Sequence, residues 1–325
     1  MKNRNAAIYA ASWGAIIIVA IVDFEWAKRT GFTIGHGWPF SFVKELCIVF
    51  GVALGLIGVA ALPRYRALAH MLRCREFAAT LFCLMTFAVW GQTASITSYL
   101  GIGLNVTSIA DPLVRFDRAI GFDWVNAYHW VAAHPILKVV FKYAYYSAFA
   151  QLVAFPVILA IARRPDDIAE FLAILFGSSI LLMLISIPFP AESAFIHYGI
   201  SDPGTVGTVS DFTALRNGTL RSINPYAVQG LVSLPSFHTM LAIFFIYSMR
   251  HVRFVFPFAI VLNAVMIAST VTVGGHYLAD VLAGGVCGAV LLWCAAAALR
   301  RMPMVRDEIN IERVTSGSGG AAPTL

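Results

Sequence analysis

The chain of 325 residues is long enough for about two soluble domains, but its composition excludes a water-soluble enzyme. Hydrophobic residues make up 59% and charged residues only 12%, against the ~25% charged residues of soluble domains, and the mean hydropathy is +0.77. The net charge of +6 does not indicate a nucleic-acid partner, because no basic run is interleaved with aromatic residues.

Long apolar runs predict an all-α polytopic membrane protein with about eight transmembrane helices, since roughly 20 largely apolar residues cross the hydrocarbon layer. The first run is predicted to be a retained anchor rather than a signal peptide, because Asp23 and Glu25 follow it without a clear cleavage pattern. The sixth is short, and we expect its polar first turn to lie at the membrane face. The runs cover roughly 7–22, 42–62, 77–100, 137–162, 168–190, 236–250, 254–273 and 276–299.

Basic residues predict the orientation of these helices. Arginines are concentrated in the short turns near 64–75, 163–164 and 250–253 and at the two ends of the chain. The positive-inside rule then makes both termini cytoplasmic. A protein of this type is expected in a bacterial inner membrane, with the alternate loops in the periplasm.

Two long segments lie on the outer side in this topology. Residues near 111–135 predict one amphipathic helix at the membrane interface, and residues 191–235 form a polar loop containing Gly, Pro and Ser. Small residues at Gly51 and Gly55, and again at Gly284 and Gly288, are predicted to allow helices of this chain to approach closely.

Two groups of polar residues at span ends carry the candidate chemistry, because ionisable residues near a span are costly and mark functional sites. Ser236 and His238 open the sixth span, where unpaired backbone N–H groups attract an anion. His276 and Asp280 open the eighth span four residues apart, so the carboxylate is placed to orient the imidazole. Both span starts are on the outer side, and together with their helix N-termini they predict a phosphate site.

A metal site built from His238, His276 and Asp280 is the alternative interpretation of the same residues. No fourth ligand is evident, and a covalent histidine mechanism needs no metal. We therefore expect no metal and no cofactor.

These motifs resemble the type 2 phosphatidic acid phosphatase superfamily of membrane lipid phosphatases and phosphotransferases. The resemblance covers roughly residues 137–300 and rests on PSFH at 235–238 and HYLAD at 276–280. Phe237 stands where the family usually has Gly, which is similar to the inositol phosphorylceramide synthase branch. The Pro-rich end of the fifth span, at 187–193, is similar to that branch as well.

The chain departs from the family pattern at two cations. Thr270 replaces the Arg expected before His276, and the first motif, in which Lys precedes Arg-Pro, is not recognisable. Arg164–Pro165 is the sole Arg-Pro pair in the sequence, but it belongs to the cytoplasmic side. Candidates for binding the phosphate instead are the outer residues Arg216 and Arg221, with Lys138 and Lys142 behind them; ordinary loop charge is the alternative for all four.

The resemblance implies covalent phosphoryl transfer on a lipid phosphate or phospholipid of the bilayer. His276, oriented by Asp280, is implied to attack phosphorus, and His238 to protonate the departing oxygen. Ser236, with Arg216 or Arg221, is implied to hold the other phosphate oxygens. Water as acceptor would make the protein a phosphatase, and an alcohol would make it inositolphosphotransferase-like; both remain open.

A non-catalytic lipid transporter or flippase is the competing class of function. It is disfavoured because the ionisable groups cluster at one face and no duplicated pattern is present. The predicted division of the chain is 1–136 for N-terminal transmembrane helices and the outer interfacial helix, 137–300 for a phosphatidic acid phosphatase-like catalytic core, and 301–325 for a cytoplasmic, partly disordered tail.

Overall fold

A computed structural model describes residues 4–35, 38–201 and 206–301, so that nearly all of the predicted tail at 301–325 lies outside the described residues. Thirteen α-helices and one two-residue β-ladder occur in the described part of the chain, which confirms the all-α class. The helices are α1 (Arg4–Thr30), α2 (Trp38–Ala61), α3 (Arg66–Met71), α4 (Cys74–Ile102), α5 (Ala110–Ala119), α6 (Trp124–Ala132), α7 (Pro135–Ile161), α8 (Pro165–Ser186), α9 (Ala194–His197), α10 (Val206–Arg216), α11 (Phe237–Met249), α12 (Phe256–Thr272) and α13 (Leu278–Arg301).

The eight predicted spans correspond to α1, α2, α4, α7, α8, α11, α12 and α13. Six of these helices are long and apolar enough to cross a membrane, and α11 and α12 are shorter apolar helices. Large apolar side chains point outward from the bundle, among them Phe254, which is 90% exposed. Such surface is unfavourable in water and suits contact with lipid chains, so the chain is a multi-pass membrane protein.

The segment predicted as one interfacial helix near 111–135 forms two helices, α5 and α6, so that prediction was wrong. The chain turns at Gly121, whose φ of +80° is accessible to glycine but costly for other residues. Asp123 then caps α6, because its carboxylate accepts the backbone N–H of Asn126 at 2.9 Å. The turn allows both short helices to pack against the bundle instead of extending away from it.

The polar segment predicted as a loop at 191–235 contains regular structure in its described residues. It contains α9 and α10, and its strand β2 (Ser222–Ile223) pairs in parallel with β1 (Thr33–Ile34), which follows α1. The pairing fastens the end of the first helix to a loop almost two hundred residues away in the sequence.

The arginine-bearing turns near 64–75, 163–164 and 250–253 lie at one end of the bundle, here called the arginine end, together with the start of α1. Arg4 lies 3.8 Å from Asp166 in the first turn of α8, and Arg163 lies 3.3 Å from His70 of α3. The β-ladder, α5, α6 and the start of α13 lie at the opposite end, here called the histidine end. Segments predicted to share a membrane side therefore share an end of the molecule.

The two pairs of glycines, Gly284 with Gly288 and Gly51 with Gly55, differ in how closely other atoms approach them. A Cβ added at Gly284 would meet the Ser236 carbonyl oxygen at 2.6 Å, and one at Gly288 would meet Met240 Cα at 3.4 Å, so α13 packs closely on α11 there. A Cβ at Gly51 or Gly55 would meet no atom within 4 Å among the described residues. The prediction of close packing inside the chain was therefore right for α13 and wrong for α2.

Candidate active site

The start of α11 is shaped by Ser236, which is the N-cap residue of this helix. Its Oγ accepts hydrogen bonds from the backbone N–H of Thr239 at 3.4 Å and from the Thr239 hydroxyl at 3.1 Å. Its own N–H donates to the carbonyl oxygen of Asp280 at 3.0 Å, which ties α11 to α13. Ser236 is fully buried, whereas His238 is partly exposed.

Asp280 lies in the first turn of α13 and is fully buried. Its Oδ2 accepts from the Ser233 hydroxyl at 2.5 Å and from the Tyr277 backbone N–H at 3.2 Å, and it lies 3.4 Å from His276 Nδ1. Asp280 Oδ1 has no hydrogen-bond partner among the described residues. A carboxylate fixed in this way holds the imidazole with Nδ1 toward it and directs Nε2 away from it.

The two histidines converge on the turn between α12 and α13. His238 and His276 are close enough for the charge of one imidazole to affect the other. A Cβ added at Gly274 would lie 2.8 Å from Tyr145 Cε2 and 2.9 Å from His276 Cδ2. The Tyr145 ring in turn stacks on His238, with ring centroids 3.9 Å apart and an interplanar angle of 18°. The predicted pair is therefore one cluster, to which α7 adds a tyrosine.

The N-terminus of α13 does not face an open anion site, which corrects the prediction that two helix N-termini receive a phosphate. Asp117 of α5 accepts the backbone N–H groups of Leu278 and Ala279 at 2.9 and 2.8 Å. This buried carboxylate occupies the position that an anion would take. A phosphate-binding role for the N-terminus of α11 stays a prediction.

Trp124 of α6 fastens the turn that carries His276. Its indole N–H donates to the carbonyl oxygens of His276 at 3.0 Å and Val271 at 3.2 Å. The ring is sandwiched between Tyr128 and Tyr198, at centroid distances of 5.4 and 5.3 Å. An aromatic stack at the histidine end thus positions the backbone that carries His276.

The segment that contains both histidines and Asp280 matches a known sequence family. The family model of the PAP2 superfamily, the type 2 phosphatidic acid phosphatase superfamily, matches residues 111–297, more than half of the chain. The chain belongs to the PAP2 superfamily. Comparisons with curated proteins and with solved structures gave no match.

Membership identifies the protein as an enzyme of the lipid phosphatase and phosphotransferase type. The matched range begins before residue 137 and takes in α5 and α6. This agrees with the contacts of Asp117 and Trp124, which attach both short helices to the HYLAD segment. The division of the chain at residue 137 stays a prediction.

Arg216 and Arg221 of this PAP2 protein contact groups other than the two histidines. Arg216 donates to the carbonyl oxygen of Val106 at 2.8 Å, and its guanidinium lies 5.6 Å from the ring centre of Phe212. Arg221 lies over the ring of Phe32 at 4.7 Å. Neither contacts His238 or His276 in the part of the chain that the structure describes. Lys138 and Lys142 are exposed on α7. A phosphate-binding role for these four residues stays a prediction.

The place of the missing family arginine is filled by a neutral, buried residue. The Thr270 hydroxyl donates to the carbonyl oxygen of Ile267 at 2.6 Å, and its own carbonyl accepts the backbone N–H of Gly274 at 3.0 Å. Thr270 thereby stabilises the turn before His276 without adding charge. No group of three or more His, Cys, Asp or Glu that could hold a metal occurs among the described residues.

Four residues at the site escaped prediction, and they are Asp117, Trp124, Tyr145 and Ser233. Ser233 lies three residues before Ser236, in a segment whose loop composition gives no catalytic signal. Asp117 is 161 positions from Leu278, and Trp124 is 152 positions from His276. An acidic residue and a tryptophan in an amphipathic segment were the available signals, and they do not specify a partner.

Proposed function

We propose that this PAP2 protein cleaves or transfers the phosphate group of a lipid phosphate or phosphodiester through a phosphohistidine intermediate. The contact between His276 Nδ1 and the buried Asp280, with His238 within electrostatic range, carries the proposal. One imidazole is held by a carboxylate, while the other has no carboxylate contact among the described residues. The two rings are thereby suited to different steps.

In the first step, Nε2 of His276 attacks phosphorus while Nδ1–H remains bonded to Asp280. The N–P bond forms and the ester P–O bond breaks. The proton of His238 passes to the departing alcohol oxygen, which avoids expelling an alkoxide. The positive charge that develops on the His276 ring is stabilised by the Asp280 carboxylate, which is itself anchored by Ser233.

In the second step, neutral His238 accepts a proton from the incoming water or alcohol. The new O–P bond forms, the N–P bond breaks, and His276 is restored as a neutral imidazole. His276 and His238 therefore act in both steps, His276 as the carrier of the phosphoryl group and His238 first as the acid and then as the base. The acceptor alone decides between hydrolysis and transfer to a new headgroup.

The phosphate oxygens are proposed to bind at the N-terminus of α11. Ser236 Oγ already accepts bonds from Thr239, so its hydroxyl proton is what remains to donate to a phosphate oxygen. Arg216 and Arg221 are retained as candidate phosphate ligands. If Arg216→Ala and Arg221→Ala both leave KM unchanged, α11 binds the phosphate without them.

We further propose that the histidine end faces the periplasm of a bacterial inner membrane and that both termini are cytoplasmic. The support is the concentration of arginines in short turns at the other end of the bundle. The inositolphosphotransferase-like reaction is favoured over hydrolysis by Phe237 and by the Pro-rich exit of α8.

The deciding experiment incubates purified protein with a lipid carrying a labelled phosphate, in mixed micelles with and without inositol. Free labelled phosphate indicates a phosphatase, and labelled inositol phosphate, formed when inositol attacks the phosphohistidine, indicates a transferase. Quenching in alkaline detergent should trap label on wild-type protein but not on His276→Ala, because the N–P bond of phosphohistidine is stable to base and labile to acid. Wild-type protein that releases no phosphate, forms no inositol phosphate and traps no label contradicts the proposal, and lipid movement in vesicles would then favour a transporter.

A further inference from the structure

We infer that Tyr145 is a positioning residue, whose ring holds the His238 imidazole in the orientation in which it donates its proton. The inference rests on the proposed function, since that function assigns His238 as the acid. The carrying observation is the ring stack between α7 and α11, with centroids 3.9 Å apart and an interplanar angle of 18°. The separation is shorter than that of any other aromatic pair found at the histidine end in the described residues.

The two histidines are oriented by different kinds of contact. Asp280 fixes His276 through Nδ1. No hydrogen bond to a described residue fixes His238. The contacts of its ring are the stack with Tyr145 and the proximity of His276. Rotation of His238 about its side-chain bonds is therefore limited by packing, and the flat face of Tyr145 supplies that packing.

An aromatic face suits an acid better than a carboxylate does. A carboxylate partner would add a full negative charge, which holds the proton on the imidazole, whereas an acid has to release it to the leaving oxygen. A stacked ring fixes the plane of the imidazole and leaves both ring nitrogens without a competing acceptor. His238 as a whole residue is partly exposed.

Gly274 makes the arrangement sterically possible. A Cβ at this position would lie 2.8 Å from Tyr145 Cε2 and 2.9 Å from His276 Cδ2, closer than normal van der Waals contact. The rings of Tyr145 and His276 thus share the space beside Gly274, and Tyr145 contacts His238 through its face. The tyrosine is the structural link between the two histidines, and it comes from a helix that carries none of the sequence motifs.

The test compares two substrates that differ in their need for an acid. Dodecyl phosphate has an alkoxide leaving group that must be protonated, whereas a dodecyl-substituted nitrophenyl phosphate releases a stable nitrophenolate. Release of the leaving group is measured in a single turnover, in detergent, for wild type, Tyr145→Phe and Tyr145→Leu. Gel filtration and circular dichroism establish that the variants are folded.

We expect Tyr145→Leu to slow release from dodecyl phosphate by roughly 10²-fold, the lower range of a general-acid contribution, with little change in KM. Release from the nitrophenyl ester should change by less than about threefold, because that step does not use the acid. Tyr145→Phe keeps the ring and should behave like wild type on both substrates. Gly274→Ala crowds His276 as well and should slow both reactions.

Three results overturn the inference while wild-type protein is active. These are an equal loss on both substrates, no loss on dodecyl phosphate, or a loss in Tyr145→Phe as large as that in Tyr145→Leu. If the nitrophenyl ester is not a substrate, two readouts on dodecyl phosphate test the inference. They are the difference between Tyr145→Phe and Tyr145→Leu, and a fall in kcat at constant KM. Wild-type protein that cleaves neither ester contradicts the proposed function itself, which is a different outcome.

Discussion

Asp117 caps the helix that carries Asp280, because its carboxylate accepts the backbone N–H of Ala279 at 2.8 Å and that of Leu278 at 2.9 Å. Both carboxylates bind backbone N–H groups at the start of α13, Asp117 those of Leu278 and Ala279 and Asp280 that of Tyr277. One satisfies the free N–H groups of the helix, and the other orients His276. The N-terminal half of the chain thus reaches directly into the site through α5.

The stability of the protein should depend on pH through Asp117. Burial raises the pKa of this carboxyl, its two N–H bonds lower it, and the negative charge of Asp280 raises it again, so that the net direction is upward. A folded pKa above the unfolded value means that the stabilising contribution is complete below the unfolded value of about 3.9 and is lost as pH rises through the folded pKa. Wild type should therefore lose stability relative to Asp117→Asn as pH increases across this window. Thermal unfolding in detergent at a series of pH values measures the difference, and a constant difference would contradict the prediction.

Loss of the Trp124 N–H should slow catalysis without unfolding the protein. Trp124→Phe keeps most of the aromatic stack but removes the bonds to the carbonyl oxygens of His276 and Val271. Each neutral hydrogen bond contributes about 0.5–1.5 kcal/mol, so we expect kcat to fall by roughly tenfold as the turn relaxes. Trp130→Phe is the matched control, because Trp130 lies on the same helix and is 58% exposed. Equal effects of the two substitutions would show that Trp124 does not act through His276.

Ser233 should matter for both stability and turnover. Ser233→Ala removes the 2.5 Å hydrogen bond to Asp280 Oδ2 and leaves that buried carboxylate with fewer donors. A bond to a charged group contributes about 1.5–3 kcal/mol, which we expect as a loss in the free energy of unfolding, together with a lower kcat. Ser222→Ala, at an exposed position of β2, is the control. An unchanged melting temperature and kcat in Ser233→Ala would contradict this role.

The parts of the fold that could be predicted are those with a local signal. Apolar runs predicted the positions of eight apolar helices, six of which are long enough to cross a membrane, because a lipid-crossing helix must be apolar along its own length. The pairing of His276 with Asp280 was predicted from a spacing of four residues on a helix, but His276 lies in the turn before α13 and makes the contact from there. The cap by Asp117 and the stack of Tyr145 on His238 have no local signal, because each joins elements that are distant in the sequence. Arg216 was predicted from its charge and its side of the membrane, and these do not specify that its guanidinium donates to Val106.

Gly284 should be essential for the distance between the two histidine-bearing segments. Its missing side chain lets the Ser236 carbonyl approach α13, where a Cβ would lie 2.6 Å from that oxygen and 3.0 Å from Thr239 Cβ. Backbone carbonyl atoms cannot rotate away as a flexible side chain can, so Gly284→Ala must separate α11 from α13. We expect a loss of about 1–3 kcal/mol in stability, as for an overpacked core, and a large fall in kcat.

Gly285→Ala provides the matched control for this substitution. It lies one residue further along α13, and a Cβ there would meet no atom within 4 Å among the described residues. Replacing a helical glycine by alanine at an unobstructed position stabilises by about 0.4–1 kcal/mol, so its melting temperature should rise slightly while kcat stays unchanged. Equal behaviour of the two variants would mean that α11 and α13 tolerate separation. The two histidines would then not depend on the close contact at Gly284.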